Sequence, residues 1–118
     1  MTGLASKSGD RLAFKTGGGI RLFEPSEILW IEAEGKTSVV HTTGGSEVVQ
    51  LRLGSVMQRL DGGPFARVSR FAIVNLGHVM ETAHKTNGDH TMKLSNGREL
   101  VLSRLHRAEV MRRLMPGA

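Results

Sequence analysis

Two Asn-Gly dipeptides, Asn87-Gly88 and Asn96-Gly97, constrain this chain more than any other feature. Asn and Gly tolerate positive φ. Between stretches of alternating apolar and polar residues, the pair reads as a hairpin turn. Residues 79–85, 90–95 and 98–102 are therefore expected to be three antiparallel strands. The first half follows the same logic. Gly17-Gly18-Gly19 separates residues 11–15 from 20–23, and Gly44-Gly45 separates the β-branched stretch 37–43 from 46–51. Only glycine takes such turns without steric cost. Ile28-Leu29-Trp30-Ile31 is an unbroken apolar run, as expected of a strand covered on both faces. Pro25-Ser26-Glu27 before it reads as a turn or a single helical turn.

Helical periodicity occurs twice. Leu53, Val56, Met57 and Leu60 fall at i, i+3, i+4 and i+7, and Gly62-Gly63-Pro64 ends that helix. Ser103 is placed to cap a final helix running to about Met115, with Leu105, Ala108, Met111 and Met115 as its apolar stripe. The expected fold is mainly all-β: short antiparallel strands packed as small sheets, one short central helix and one C-terminal helix. It forms a single domain over 11–118, behind a flexible leader at 1–10.

The 118 residues, 39% of them hydrophobic, suffice for one core and are too few for two ordinary domains. No apolar run approaches the roughly 18 residues of a membrane helix, and the N-terminus lacks a secretory pattern. No membrane role and a cytoplasmic location are expected. The absence of cysteine excludes disulfides, thiolate zinc sites and cysteine nucleophiles.

Charge is uneven. Residues 1–51 carry five basic and six acidic side chains; residues 52–118 carry eleven basic, nine of them Arg, and five acidic. Arg offers a planar fork of donors that matches phosphates and guanine edges. An Arg-rich basic half points to a polyanionic partner.

Catalytic chemistry finds little support. His84 and His90 flank Asn87-Gly88 with Asp89 beside them, but a zinc site wants a third ligand in defined geometry. Ser69 and His78 lack the context of a positioned nucleophile. Gly17-Gly18-Gly19 lacks the spacing and the Lys-Ser/Thr of a phosphate loop. No enzyme, metal or cofactor is expected.

Residues 65–80 carry the strongest signal. Phe65, Arg67, Val68, Arg70, Ile73, Val74 and Asn75 follow the pattern F-x-R-I-H-R-S-x-I-V-N, with Val for Ile. Ser69 stands where His is usual, and Phe71 where Ser is usual. This segment resembles the signature of the LytTR family of bacterial DNA-binding domains. Ile28-Leu29-Trp30-Ile31-Glu32-Ala33 resembles the family's I-x-x-I-E-A strand. Leu94, Gly97 and Leu102-Ser103-Arg104 resemble its L-x-x-G-x-x-x-x-V-S-R ending. The three motifs occur in order and span about residues 11–115.

The resemblance implies small antiparallel sheets, sequence-specific binding of duplex DNA through loops in the major groove, and transcriptional regulation. It implies a response-regulator output domain or a stand-alone regulator, since 118 residues leave no room for a receiver domain. It also implies promoter sites arranged as paired direct repeats, with a second copy of the chain beside the first on DNA. The DNA-facing positions it implies are the loop Gly35-Lys36-Thr37-Ser38, with Lys36 or Ser38 in contact; Ser69 and Arg70; and Arg104, with Arg107 on the same helix. Arg67 is expected to brace the site or touch phosphate, and Asn75 to satisfy backbone groups at a strand end. Arg112 and Arg113 can at most meet phosphate. The alternative is a small β-domain that binds acidic protein partners. Single-strand binding wants exposed aromatic platforms, and one Trp, four Phe and no Tyr supply few.

Overall fold

A computed structural model describes residues 11–60 and 62–117; the leader expected at 1–10 lies outside the described residues. The strands are β1 (Leu12–Thr16), β2 (Gly19–Phe23), β3 (Ile28–Glu34), β4 (Thr37–Thr42), β5 (Gly45–Val49), β6 (Phe65–Ser69), β7 (Ala72–Asn75), β8 (Val79–His84), β9 (His90–Leu94) and β10 (Glu99–Leu102). Helix α1 (Leu53–Leu60) follows β5, and α2 (Arg104–Leu114) follows β10. Single 3-10 turns occur at Pro25–Glu27 and Leu76–His78.

All pairing is antiparallel. The central sheet has the order β5-β4-β3-β7-β6, with a three-stranded sheet β10-β9-β8 and a β1-β2 hairpin packed around it. The period-2 alternation explains why the central sheet has two apolar faces. On β7, Ile73 points to one face, while Ala72 and Val74 point to the other. One face is covered by α1 and the β1-β2 hairpin around Phe14, Phe23, Ile31, Val56 and Phe65. The opposite face packs on β9, β10 and α2 around Trp30, Val68, Met92, Leu102 and Val110. Ile28 through Ile31 are all buried, as a strand between two layers must be. A bulge between Ile28 and Trp30 turns both Leu29 and Trp30 toward the second face.

The two Asn-Gly turns share one geometry. In each, the Gly N–H donates to the carbonyl three residues back (Lys85 or Leu94), whose own N–H donates to the residue after Gly. Each Asn Oδ1 accepts the N–H two residues on, from Asp89 or Arg98. Gly88 and Gly97 have φ of 93° and 89°, a region where a side chain is strained.

Three local expectations are corrected. The β4-β5 turn is Thr43-Gly44, and Gly45 is already paired with Thr42. Ser103 sits at the N-cap of α2, yet its side chain makes no capping bond. Leu105, Ala108 and Met115 are exposed, so of the expected stripe of α2 only Met111 lies on its packed face. The side chains that pack are Val110, Met111 and Leu114. Two anchors set this rotation. Ser103 N–H donates to the Val68 carbonyl at 2.8 Å. Arg113 donates to the carbonyls of Phe65 and Gly63 at 2.8 and 2.7 Å. The helix thus lies antiparallel along β6, and its ends decide which side faces in.

Candidate nucleic-acid interface

Topology brings the motif residues to one end of the central sheet. β3 leaves that end at Glu34, and β7, its antiparallel neighbour, enters it at Ala72. The turn Gly35-Lys36 and the turn Arg70-Phe71 are therefore neighbours. The bond from Ser103 to Val68 brings the start of α2, and with it Arg104, to the same end.

The Ser69-Arg70-Phe71 turn is held from several sides. A bulge between Arg67 and Ser69 re-aims the end of β6. Arg67 folds its guanidinium over the turn, with Nε donating to the Ser69 carbonyl at 2.9 Å and Nη2 to the Arg70 carbonyl at 3.1 Å. Ser69 Oγ accepts the Phe71 N–H, and the Phe71 carbonyl accepts the Ala33 N–H from β3. Arg67 is thus the brace, as one of its two expected roles. Ser69 shapes the turn and leaves the outward position to Arg70.

Arg70 and Arg104 are the outward cations. The Arg70 guanidinium lies 5.0 Å from the centre of the Phe71 ring, and Arg104 is exposed. Among the described residues neither pairs with a carboxylate, whereas Arg112 is bound to Glu109 at 2.7 Å and Arg21 to Glu47 at 3.2 Å. Lys36 stands exposed at the tip of its turn. An exposed guanidinium held on a fixed backbone can meet the O6 and N7 of guanine or a phosphate with little loss of conformational freedom.

One expected contact is corrected. Ser38 is fully buried, and its hydroxyl donates to the Leu51 carbonyl at 2.7 Å, so it cannot meet a base. Arg107 is half-buried, with its Nε enclosed without a partner and its charge acting on His90. Arg113, expected to reach phosphate at most, is spent on the backbone of β6 and the turn before it.

Asn75 is structural. It is buried, and its amide donates to the Pro25 and Ile28 carbonyls and accepts the Gly77 N–H. Trp30 is buried too, stacked on His41 at 4.3 Å, and offers no platform to a base. The His84 and His90 rings stack at 4.4 Å across their hairpin. Among the described residues no group of three metal-ligating side chains forms around them. Likewise, no helix there is long and apolar enough to cross a membrane.

Sequence reasoning missed Phe71, Val101 and Leu105. All three are exposed, and they line one groove of about 420 Å³ together with Arg70 and Ser103. The one available signal was Phe71, an aromatic where the motif usually has a small polar residue.

Comparison with known proteins agrees with this fold. The model of the LytTr DNA-binding domain family matches residues 18–115. The chain is 38% identical over 61 residues to the CO-responsive transcriptional regulator RcoM of Rhodospirillum rubrum, a match covering 52% of this chain and 26% of that protein. The chain thus corresponds to about a quarter of that relative's length. Its fold is similar to the LytTr DNA-binding domain of a Bacillus cereus protein described as a methyl-accepting/DNA response regulator. The TM-score is 0.74 at 23% identity, over 90% of this chain and 96% of that one.

Proposed function

The chain belongs to the LytTR family of DNA-binding domains, and on that premise we propose that it reads duplex DNA sequence-specifically as the output part of a bacterial transcriptional regulator. Arg70 and Arg104 enter the major groove and pair with guanine, while Lys36 meets the backbone of the duplex. The observation that carries this reading is the braced turn. Arg67 holds the Ser69 and Arg70 carbonyls, and the Ser103–Val68 bond sets Arg104 beside them. Two cations without acidic partners are thus presented from rigid backbone at one end of the sheet. Such a regulator acts in the cytoplasm, and two copies side by side on direct repeats would extend the site read.

The test is the ratio of affinities for a selected duplex and a random one. Arg70→Ala or Arg104→Ala should lower that ratio roughly tenfold or more, since a bidentate Arg–guanine pair is worth about 1–3 kcal/mol of discrimination. Arg112→Ala, which breaks only the exposed bond to Glu109, should leave the ratio unchanged. Circular dichroism of each variant verifies the fold. An unchanged ratio in both Arg70→Ala and Arg104→Ala would remove these residues from base recognition. A wild-type ratio near one would favour the acidic-protein partner instead.

A further inference from the structure

Of the eight large apolar side chains that stand exposed among the described residues, three line a single groove: Phe71 at 60%, Val101 at 55% and Leu105 at 84%. The groove lies between the Ser69-Arg70-Phe71 turn and the first turn of α2. Arg70 sits on the Phe71 ring, and Arg104 precedes Leu105 in the chain. An apolar cluster of this kind is unfavourable in water and marks a contact surface. Its occupant must suit both halves of the surface, an apolar floor and the Arg70 guanidinium at its rim. A wholly apolar partner would bury Arg70 uncompensated, at a cost that disfavours it.

Duplex DNA supplies the complement. Its phosphates and guanine edges meet the cation. The apolar feature of the major-groove edge is the C5-methyl group of thymine. We propose that the Phe71–Val101–Leu105 groove receives thymine methyl groups next to the guanines contacted by Arg70 and Arg104, making Phe71 and Leu105 specificity-determining residues. The inference rests on the duplex-reading function above and adds its second recognised base. Position supports it. Leu105 is on the helix turn that carries Arg104, and Phe71 is fixed through its own carbonyl and N–H to β3 and Ser69. Both are therefore held with the same rigidity as the Arg residues.

The experiment uses duplexes selected by the full chain from a randomised pool. In each, one thymine at a time is replaced by deoxyuridine, which removes only the methyl group. At thymines flanking the essential guanines, affinity should fall about fourfold per methyl, the value of one buried CH₂-sized group. In Leu105→Ser and Phe71→Ser the thymine and deoxyuridine duplexes should bind alike, both at the weaker level. Leu105 and Phe71 are exposed, so both variants should keep the wild-type circular dichroism spectrum. Equal binding of thymine and deoxyuridine duplexes by the wild type, with guanine dependence intact, overturns the methyl contact and leaves the duplex-reading function standing. So does a Leu105→Ser variant that keeps the methyl preference but changes the sedimentation of the free chain, because the groove would then be covered by a second copy. No selected sequence at all would overturn both readings together.

Discussion

Asn75 shows how much one motif residue can carry without touching a ligand. Its three hydrogen bonds tie β7 to the 3-10 turn at Pro25–Glu27, to the start of β3 and to its own following turn. Removing the amide deprives the Ile28 carbonyl and the Gly77 N–H of this partner, while the Pro25 carbonyl keeps the Ile28 N–H. Asn75→Ala should therefore cost about 2–3 kcal/mol in urea unfolding, since each buried group left unsatisfied costs on the order of 1–3 kcal/mol. Asn75→Asp should cost at least as much, because a carboxylate would face the two carbonyl oxygens. A loss under about 0.5 kcal/mol, the level of an ordinary surface change, would show that water replaces the amide. Arg67 and Arg113 teach a related lesson. Both look like polyanion contacts in a basic sequence, and both are committed to backbone carbonyls.

Among the elements, the β8-β9 hairpin carries a pH dependence. His90 has its Nδ1 shielded and unpartnered, and its ring stacks on His84. Burial, then the charge of Arg107, then His84 lower its pKa below the usual imidazole value. With the folded value depressed, the unfolded chain takes up the proton first as pH falls. The stabilisation from a neutral His90 is thus present above about pH 6.5 and is lost as pH falls from there toward the lowered folded value. Chemical denaturation should give lower stability at pH 5.5 than at pH 7.5, and His90→Phe should shrink that difference. The Glu109 carboxyl, lowered chiefly by its hydrogen bond from Arg112, titrates below this window and does not confuse it. Equal stability of the wild type at both pH values would mean that the ring is not shielded in solution.

For the whole molecule, charge asymmetry and architecture coincide. Much of the Arg-rich half of the sequence builds β6, the β6-β7 turn and α2, which meet at one end of the central sheet. The eleven basic residues of that half overstate the electrostatic footprint, because Arg67 and Arg113 hold backbone, and Lys85 and Arg112 lie against Glu99 and Glu109. Binding to random duplex should weaken with salt, with a slope of log K against log salt of about −3 to −5, as expected for roughly four or five phosphates neutralised. A flat dependence between 50 and 200 mM salt, on the order of that slope's usual range, would deny the basic end any part in DNA binding.

The hairpins, the doubly covered strand Ile28–Ile31 and helix α1 were all legible in the chain, because each rests on local rules. Asn-Gly tolerates positive φ, a buried strand excludes polar side chains, and a helix with one apolar face must repeat at 3.6 residues. The exposure of Arg70 was legible too, since it sits at the junction between two ordered stretches. The rotation of α2 was not legible. Its apolar residues allow more than one packed face, and the choice fell to bonds from Ser103 and Arg113 to β6, some 35 to 50 positions earlier in the chain. Ser38 looked like loop polarity until the Leu51 carbonyl was brought within 2.7 Å of it. Of the exposed Phe71, Val101 and Leu105, only Leu105 fell on an apolar stripe of the sequence. Whether an apolar side chain is buried depends on what the rest of the chain lays over it, and here the layers stop short of that groove.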